Sequence, residues 1–215
     1  MKYKAVLYDM DGTVLDTLAD LTDAVNVALR RFGLPEQPAM RVRAALGNGA
    51  RRLITACLPE NTDEATAEAV LAFYKPYYDA HCCEKTAPYP GILPLMQRLR
   101  GAGVKQAVVS NKPDSAVKEL AELFFGGLIA SAVGESETVR LKPCPDAVLA
   151  AARLMGVDRE ACVYVGDSEV DIATARSAGM DCISVAWGFR DEDMLRASGA
   201  SLIVRSAEEL YEALK

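Results

Sequence analysis

Asp9 and Asp11 stand one residue apart in the stretch VLYDMDGTVLDT, directly after a short apolar run, and Gly12 follows them. A second pair of acids, Asp167 and Asp171, stands in GDSEVDI after another apolar run. Between the pairs come Ser110 and Asn111 in VVSNKP and Lys142 in LKPCPD. Carboxylates brought together repel one another and rise in pKa unless a cation neutralises them, so a metal ion is implied. Ligation by oxygen alone selects a hard ion, and a site with few carboxylates plus phosphate and water suits Mg²⁺ better than calcium. Lys142 would supply complementary charge. The hydroxyl of Ser110 and the amide of Asn111 would donate hydrogen bonds to a phosphoryl group.

These residues can meet only if the chain folds to bring them together. Short, nearly continuous apolar runs occur at 5–8, 106–109, 128–133, 162–165, 182–185 and 202–204, most of them divided by segments of helical spacing. Such runs suit strands buried on both faces in a parallel sheet, with helices as the crossovers. The expected fold class is therefore α/β, a doubly wound, Rossmann-like parallel sheet. Open α/β sheets bind ligands beyond the carboxyl ends of their strands. Asp9 and Asp11, Ser110 to Lys112, and Asp167 with Asp171 all follow such ends, which predicts one shared crevice.

The stretch from the first strand to the second is far longer than one crossover needs and shows helical signals only. Leu18, Leu21, Val25, Leu29 and Phe32 recur at three- and four-residue steps, and Gly33 follows as a stop. Residues 40–46 and 50–58 read as further helices around GNG, and Asn61 with Glu64 reads as the cap of a helix over 65–80. Pro76 is expected to kink or divide that helix near Lys75. Breaker signals in EKTAPYPGI mark the return to the core. The division expected is a helical insert over 17–86, with residues 1–16 and 87–215 as the α/β core. Within the insert, Asn48, Arg51 and Arg52 of LGNGARRLI are possible substrate contacts, although Arg51 and Arg52 also read as a solvated helix face.

Composition excludes other classes of function. The 215 residues carry a net charge of −6, and the basic residues form no stripe for a phosphate backbone, so nucleic acid is not an expected partner. No run approaches the roughly 20 apolar residues that span a bilayer, and acids interrupt the start too early for a signal peptide, so a cytoplasmic protein with no membrane partner is expected. The six cysteines show no C-x-x-C pair and His81 is the single histidine, which argues for reduced thiols and against zinc.

The apolar strand ending in D-x-D-G-T, the Ser after a second strand, the Lys of LKPCPD before a helix and G-D-x-x-x-D after a later strand together resemble the haloacid dehalogenase superfamily. With a helical insert after the first motif, DMDGTVLDTLADL, SNK and VGDSEVDIATARSAGM resemble its phosphoglycolate phosphatase branch. The resemblance implies a core of that superfamily with an inserted helical cap. It also implies a Mg²⁺-dependent phosphatase acting on a small phosphorylated metabolite through an aspartyl phosphate; the sequence leaves monomer and homodimer both open. By resemblance Asp9 is the nucleophile, and Asp11 is the acid that protonates the leaving oxygen and later the base that activates water. Asp9, the carbonyl of Asp11 and Asp167 would hold Mg²⁺, Asp171 would orient its water shell, and Ser110, Asn111 and Lys142 would bind the phosphoryl group.

Other readings stay open. A β-phosphoglucomutase-like mutase shares every core motif, but such proteins usually carry a histidine in the first insert helix, and LADLTDAVNVAL has none. A pyrophosphatase or another small-metabolite phosphatase would use the same core. A receiver-like signalling module also phosphorylates an aspartate on a doubly wound sheet, but it lacks such an insert and places its acceptor after a middle strand. Asp16 reads as a helix cap. Trp187 and Phe189 read as packing or rim residues.

Overall fold

The computed structural model describes residues 1–215 as two compact units, Met1–Leu15 with Pro88–Lys215, and Asp16–Ala87. In the first unit six parallel strands form one sheet: β1 (Ala5–Asp9), β4 (Lys105–Pro113), β5 (Ser131–Glu135), β6 (Cys162–Gly166), β7 (Asp181–Val185) and β8 (Ile203–Val204). The remaining strands, β2 (Leu15–Asp16) and β3 (Ala87–Pro88), pair with each other where the chain passes between the units.

The sheet order is β5-β4-β1-β6-β7-β8. The chain leaves β1 toward β4 and β5 on one side and returns to β6, β7 and β8 on the other, which makes the carboxyl end of β1 a topological switch point. Five helices of this unit serve the crossovers and its end: α5 (Ile92–Gly101), α6 (Asp114–Phe125), α7 (Asp146–Met155), α8 (Glu169–Ala178) and α10 (Ala207–Leu214), with the short α9 (Glu192–Ala197) before β8.

Every residue of β1 is buried. Leu7, Ala107, Val109, Val133 and Tyr164 join Ala147, Val148 and Ala151 of α7 and Ala175 and Ala178 of α8 in one core on one face of the sheet. The alternation of a strand turns Val6 and Tyr8 to the other face, where they are equally buried. A strand apolar on both faces is thus covered on both faces, and its first polar residue, Asp9, emerges where the sheet ends.

The second unit is helical: α1 (Leu18–Arg31), α2 (Ala39–Ala45), α3 (Gly49–Cys57) and α4 (Glu64–His81). Leu21, Ala24, Val25, Ala28 and Leu29 form the buried stripe of α1. Asp20, in the first turn of α1, accepts from the backbone N–H of Lys85 and Thr86 and from the Thr86 hydroxyl, tying the returning chain to the helix start. Of the kink or division expected near Lys75, the division does not occur. α4 runs unbroken through Pro76, with Val70, Leu71, Tyr74 and Tyr78 on its buried face, and that packing offsets the hydrogen bond that proline cannot make. Its cap is Asp63, which accepts from the Thr66 N–H at 2.8 Å. Asn61, the expected cap, sits instead in the left-handed region at φ 65°.

Candidate active site

Three strand ends of the first unit build the site. At the end of β1, Asp9 is buried, and its Oδ1 accepts from the Met10 N–H at 2.7 Å and pairs with Lys142 Nζ at 2.8 Å. The backbone then turns sharply: Gly12 has φ +82°, and the N–H groups of Val14 and Leu15 return to the Met10 carbonyl. A Cβ on Gly12 would lie 2.4 Å from Asp167 Oδ2, so glycine is required by backbone conformation and by close approach together.

β4 delivers its residues through a bulge. From Val109 to Pro113 it advances four residues while β5 advances two, from Val133 to Glu135, and the excess falls on Ser110, Asn111 and Lys112. A bulge of this kind re-aims side chains out of the strand alternation. Ser110 Oγ donates to Asp11 Oδ2 at 3.4 Å, and Lys112 Nζ lies 3.0 Å from Asp11 Oδ1. Asn111 is tied to the lysine loop. Its amide oxygen accepts from the Lys142 N–H at 2.6 Å and its amide nitrogen donates to the Lys142 carbonyl at 3.2 Å, so both ends of the side chain hold the backbone of the lysine loop.

The third contribution comes from β6 and α8. Ser168 and Asp171 form a capping box at the start of α8, with Asp171 Oδ2 accepting from the Ser168 N–H at 3.1 Å and hydroxyl at 2.6 Å. The other oxygen, Oδ1, accepts from Lys142 Nζ at 2.8 Å and the Tyr164 hydroxyl at 3.1 Å. Asp171 thereby positions both Lys142 and the helix start. Lys142 bridges Asp9 and Asp171, 3% exposed at its side chain, and its peptide bond to Pro143 is cis.

Asp167 is held from two sides by residues that sequence reasoning left without a task. Thr13 Oγ1 donates to its Oδ1 at 3.1 Å, and the Phe189 N–H donates to its Oδ2 at 2.7 Å. Trp187 Nε1 in turn donates to the Thr13 carbonyl at 3.0 Å. A Cβ on Gly188 would meet Asp167 Cβ at 2.3 Å and the Gly12 carbonyl at 2.4 Å, so the loop 187–189 closes tightly over the acid. Arg190, itself buried, ends the loop in a paired contact with both carboxylate oxygens of Glu169.

Carboxylate oxygens of Asp9, Asp167 and Asp171 lie within 4.8 Å of one another, all three residues buried. The electrostatic consequence is large. Burial pushes Asp9 well above the usual carboxylate range, with Asp171 adding to it and Lys142 opposing it. Burial and then Asp171 push Asp167 up to about 7, against the Phe189 N–H and the Thr13 hydroxyl. Burial alone would lower Lys142, but Asp171 and Asp9 outweigh it and hold the ammonium well above its ordinary value. One lysine against three buried acids leaves excess negative charge among hard oxygen donors, a set suited to a divalent cation. The Asp11 carboxylate stands apart from this cluster, on Lys112.

In the helical unit, Arg51 forks onto both carboxylate oxygens of Glu68, with Nη2 to Oε2 at 2.9 Å, so its guanidinium is engaged inside that unit. Arg52 is exposed, and Asn48 stands at the start of α3 without a side-chain capping bond. His81 pairs with Glu84 at 2.6 Å and joins no metal-ligand cluster. No helix is long and apolar enough to cross a membrane.

The model of the haloacid dehalogenase-like hydrolases matches residues 3–179. A phosphoglycolate phosphatase of Xanthomonas campestris pv. campestris is 34% identical over 97% of this chain and 95% of its own length. The N-acetylmuramic acid 6-phosphate phosphatase of Pseudomonas aeruginosa is 32% identical over 100% of this chain and 96% of its own. A crystal structure from Lactobacillus delbrueckii subsp. bulgaricus, provisionally named a phosphoglycolate phosphatase, superposes with a TM-score of 0.95 at 43% identity, covering 100% of this chain and 99% of that one.

Proposed function

Because the chain belongs to the haloacid dehalogenase-like hydrolase family and is a phosphatase by its relatives, we propose that it hydrolyses a small phosphomonoester, phosphoglycolate first among candidates, with Mg²⁺. The observation that carries this reading is the convergence of Asp9, Asp167 and Asp171 with Lys142 at the carboxyl ends of adjacent strands.

Asp9 attacks the phosphorus, its carboxylate forming a bond to the phosphoryl group as the ester oxygen departs. Asp11 gives that oxygen a proton and then takes one from the water that cleaves the aspartyl phosphate. Lys142, already 2.8 Å from Asp9, lies where it neutralises phosphoryl oxygens as they approach the nucleophile. Ser110, whose hydroxyl lies beside Asp11, would donate to the phosphoryl group, while Asn111 holds the backbone of Lys142 in place. Asp9 and Asp167, with the Asp11 carbonyl, would hold Mg²⁺. When bound, the ion neutralises charge on the transferring group and offsets the repulsion between the acids. In this reading residues 17–86 are the cap of a core made of 1–16 and 87–215, a lid that excludes water during transfer.

The curated relatives include one that acts on a different ester, N-acetylmuramic acid 6-phosphate, which keeps a second substrate in view. Both names denote phosphate esters of an acid. The test is a panel of phosphoglycolate, N-acetylmuramic acid 6-phosphate, hexose phosphates, nucleotides and pyrophosphate, assayed with Mg²⁺ and ranked by kcat/KM. Phosphoglycolate at the head supports the reading. Another ester ahead of it by orders of magnitude reassigns the substrate.

A further inference from the structure

The site carries two lysines at its two ends, and the reaction proposed above uses only one. Lys142 serves Asp9, where phosphorus must bind. Lys112 is buried, and its ammonium lies 3.0 Å from Asp11 Oδ1. It arrives there because β4 gives up its register with β5 over residues 110–112, which turns the side chain toward the strand end. We infer that Lys112 reads a negative charge on the leaving group, and so selects phosphomonoesters whose alcohol bears a carboxylate on the ester carbon itself.

The inference rests on Asp11 being the group that meets the leaving oxygen, and distances then decide what Lys112 can touch. An acid meets the atom it protonates at about 2.6–3.2 Å, so a leaving oxygen met by Asp11 Oδ1, the carboxylate oxygen paired with Lys112, lies within about 6 Å of Lys112 Nζ. A carboxylate one carbon beyond the ester carbon carries its own oxygens about 3 Å from the ester oxygen. An ammonium–carboxylate contact of about 2.8 Å covers the remaining distance. An ammonium has three donors, and a substrate carboxylate would compete for them with the groups that hold Lys112 in the unliganded protein. A neutral alcohol of the same size offers Lys112 nothing. The charge balance agrees: the cluster acids face Lys142 and the proposed cation, while the leaving-group side holds a cation of its own.

The experiment compares kcat/KM for phosphoglycolate and for ethyl phosphate, which has the same carbon count and a neutral leaving group, with saturating Mg²⁺. The native protein is expected to favour phosphoglycolate by about tenfold or more, and Lys112→Met to reduce that ratio by about tenfold. Lys112→Arg should retain more of the ratio than Lys112→Met. Equal constants for the two esters in the native protein overturn the inference without needing any variant to fold. A Lys112→Met protein that loses both activities in the same proportion also overturns it, since Lys112 would then serve Asp11 alone and the phosphatase reading would stand. Absence of phosphate release from every ester by the native protein overturns that reading, and this inference with it.

Discussion

Asp171 Oδ1 accepts a hydrogen bond from Lys142 Nζ at 2.8 Å, with side chains 0% and 3% exposed. The same lysine reaches Asp9, so a residue at the start of α8 fixes the direction of the positive charge beside the strand end of β1. The same Asp171 caps the helix that carries it. Local structure and site electrostatics therefore depend on one carboxylate.

Asp171→Asn is expected to weaken both. Four donors point at the native carboxylate, and an amide can accept at only one of its two ends, leaving a buried donor facing an N–H group. Breaking a buried pair by changing one partner costs about 3 kcal/mol or more, to be read as a lower urea midpoint at unchanged slope. Inorganic phosphate should also bind more weakly as Lys142 loses its direction. Native stability with native phosphate affinity would remove Asp171 as the anchor.

Thr13→Val tests the support of Asp167. The substitution keeps the size of the side chain and removes the hydroxyl that donates to Asp167 Oδ1. Loss of such an outer partner lowers metal affinity by about 10–100-fold. Trp187, the single tryptophan, is hydrogen-bonded to the Thr13 carbonyl, so its fluorescence reports Mg²⁺ titration without turnover. An unchanged Mg²⁺ affinity would show that the threonine has no part in holding the acid.

The pH dependence of the metal-free protein follows from the raised carboxyl groups. Burial and Asp171 hold Asp167 up at about 7, and burial first also raises Asp9, whereas both ionise near their ordinary value of about 4 in the unfolded chain. Between about pH 4 and pH 7 the folded protein keeps protons that the unfolded chain has released, so stability falls as pH rises. Mg²⁺ takes the place of those protons. Its effect on Tm is therefore expected to be small near pH 5 and largest above about pH 7. An equal shift at both ends of that range, measured by thermal denaturation with Mg²⁺ and with chelator, would contradict the acid cluster as the binding site.

How far the sequence discloses such relations depends on which atoms carry them. The strands β1 and β6 are legible because burial on both faces leaves uninterrupted apolar runs. β5 is displaced from its apolar run: residues 128–130 lie in the connection after α6, and the strand runs on to Glu135 through Gly134, whose N–H donates to Asp114 and whose missing side chain lets that residue approach. Asp9, Asp11, Ser110 and Asp167 are legible as neighbours because each follows an apolar run at a strand end, whereas Lys142 stands in the loop before α7, where no such run marks it. The true bond of Asn111 is not legible, since its partner is the backbone of a residue far along the chain. The loop 187–189 is hidden for the same reason: Phe189 acts through its N–H and Gly188 through an absent side chain, and only the glycine between two aromatics hints at a close approach.

Asp11→Ala should slow the breakdown of the phosphorylated protein far more than its formation from an activated ester whose leaving group needs no proton. Acid–base assistance of this kind contributes about 10²–10⁴-fold. Rapid-quench measurement of labelled protein separates the two steps. Equal rates of breakdown in the native and variant proteins would dismiss Asp11 as the base.

The most direct measurement is phosphate release from phosphoglycolate by purified protein, followed past one equivalent in the presence of Mg²⁺, with Asp9→Asn beside it. Many turnovers, halted by chelator and lost in a folded Asp9→Asn protein, are the expected result. A single stable phosphorylation without turnover, or native activity in Asp9→Asn, would contradict a phosphatase in which Asp9 attacks.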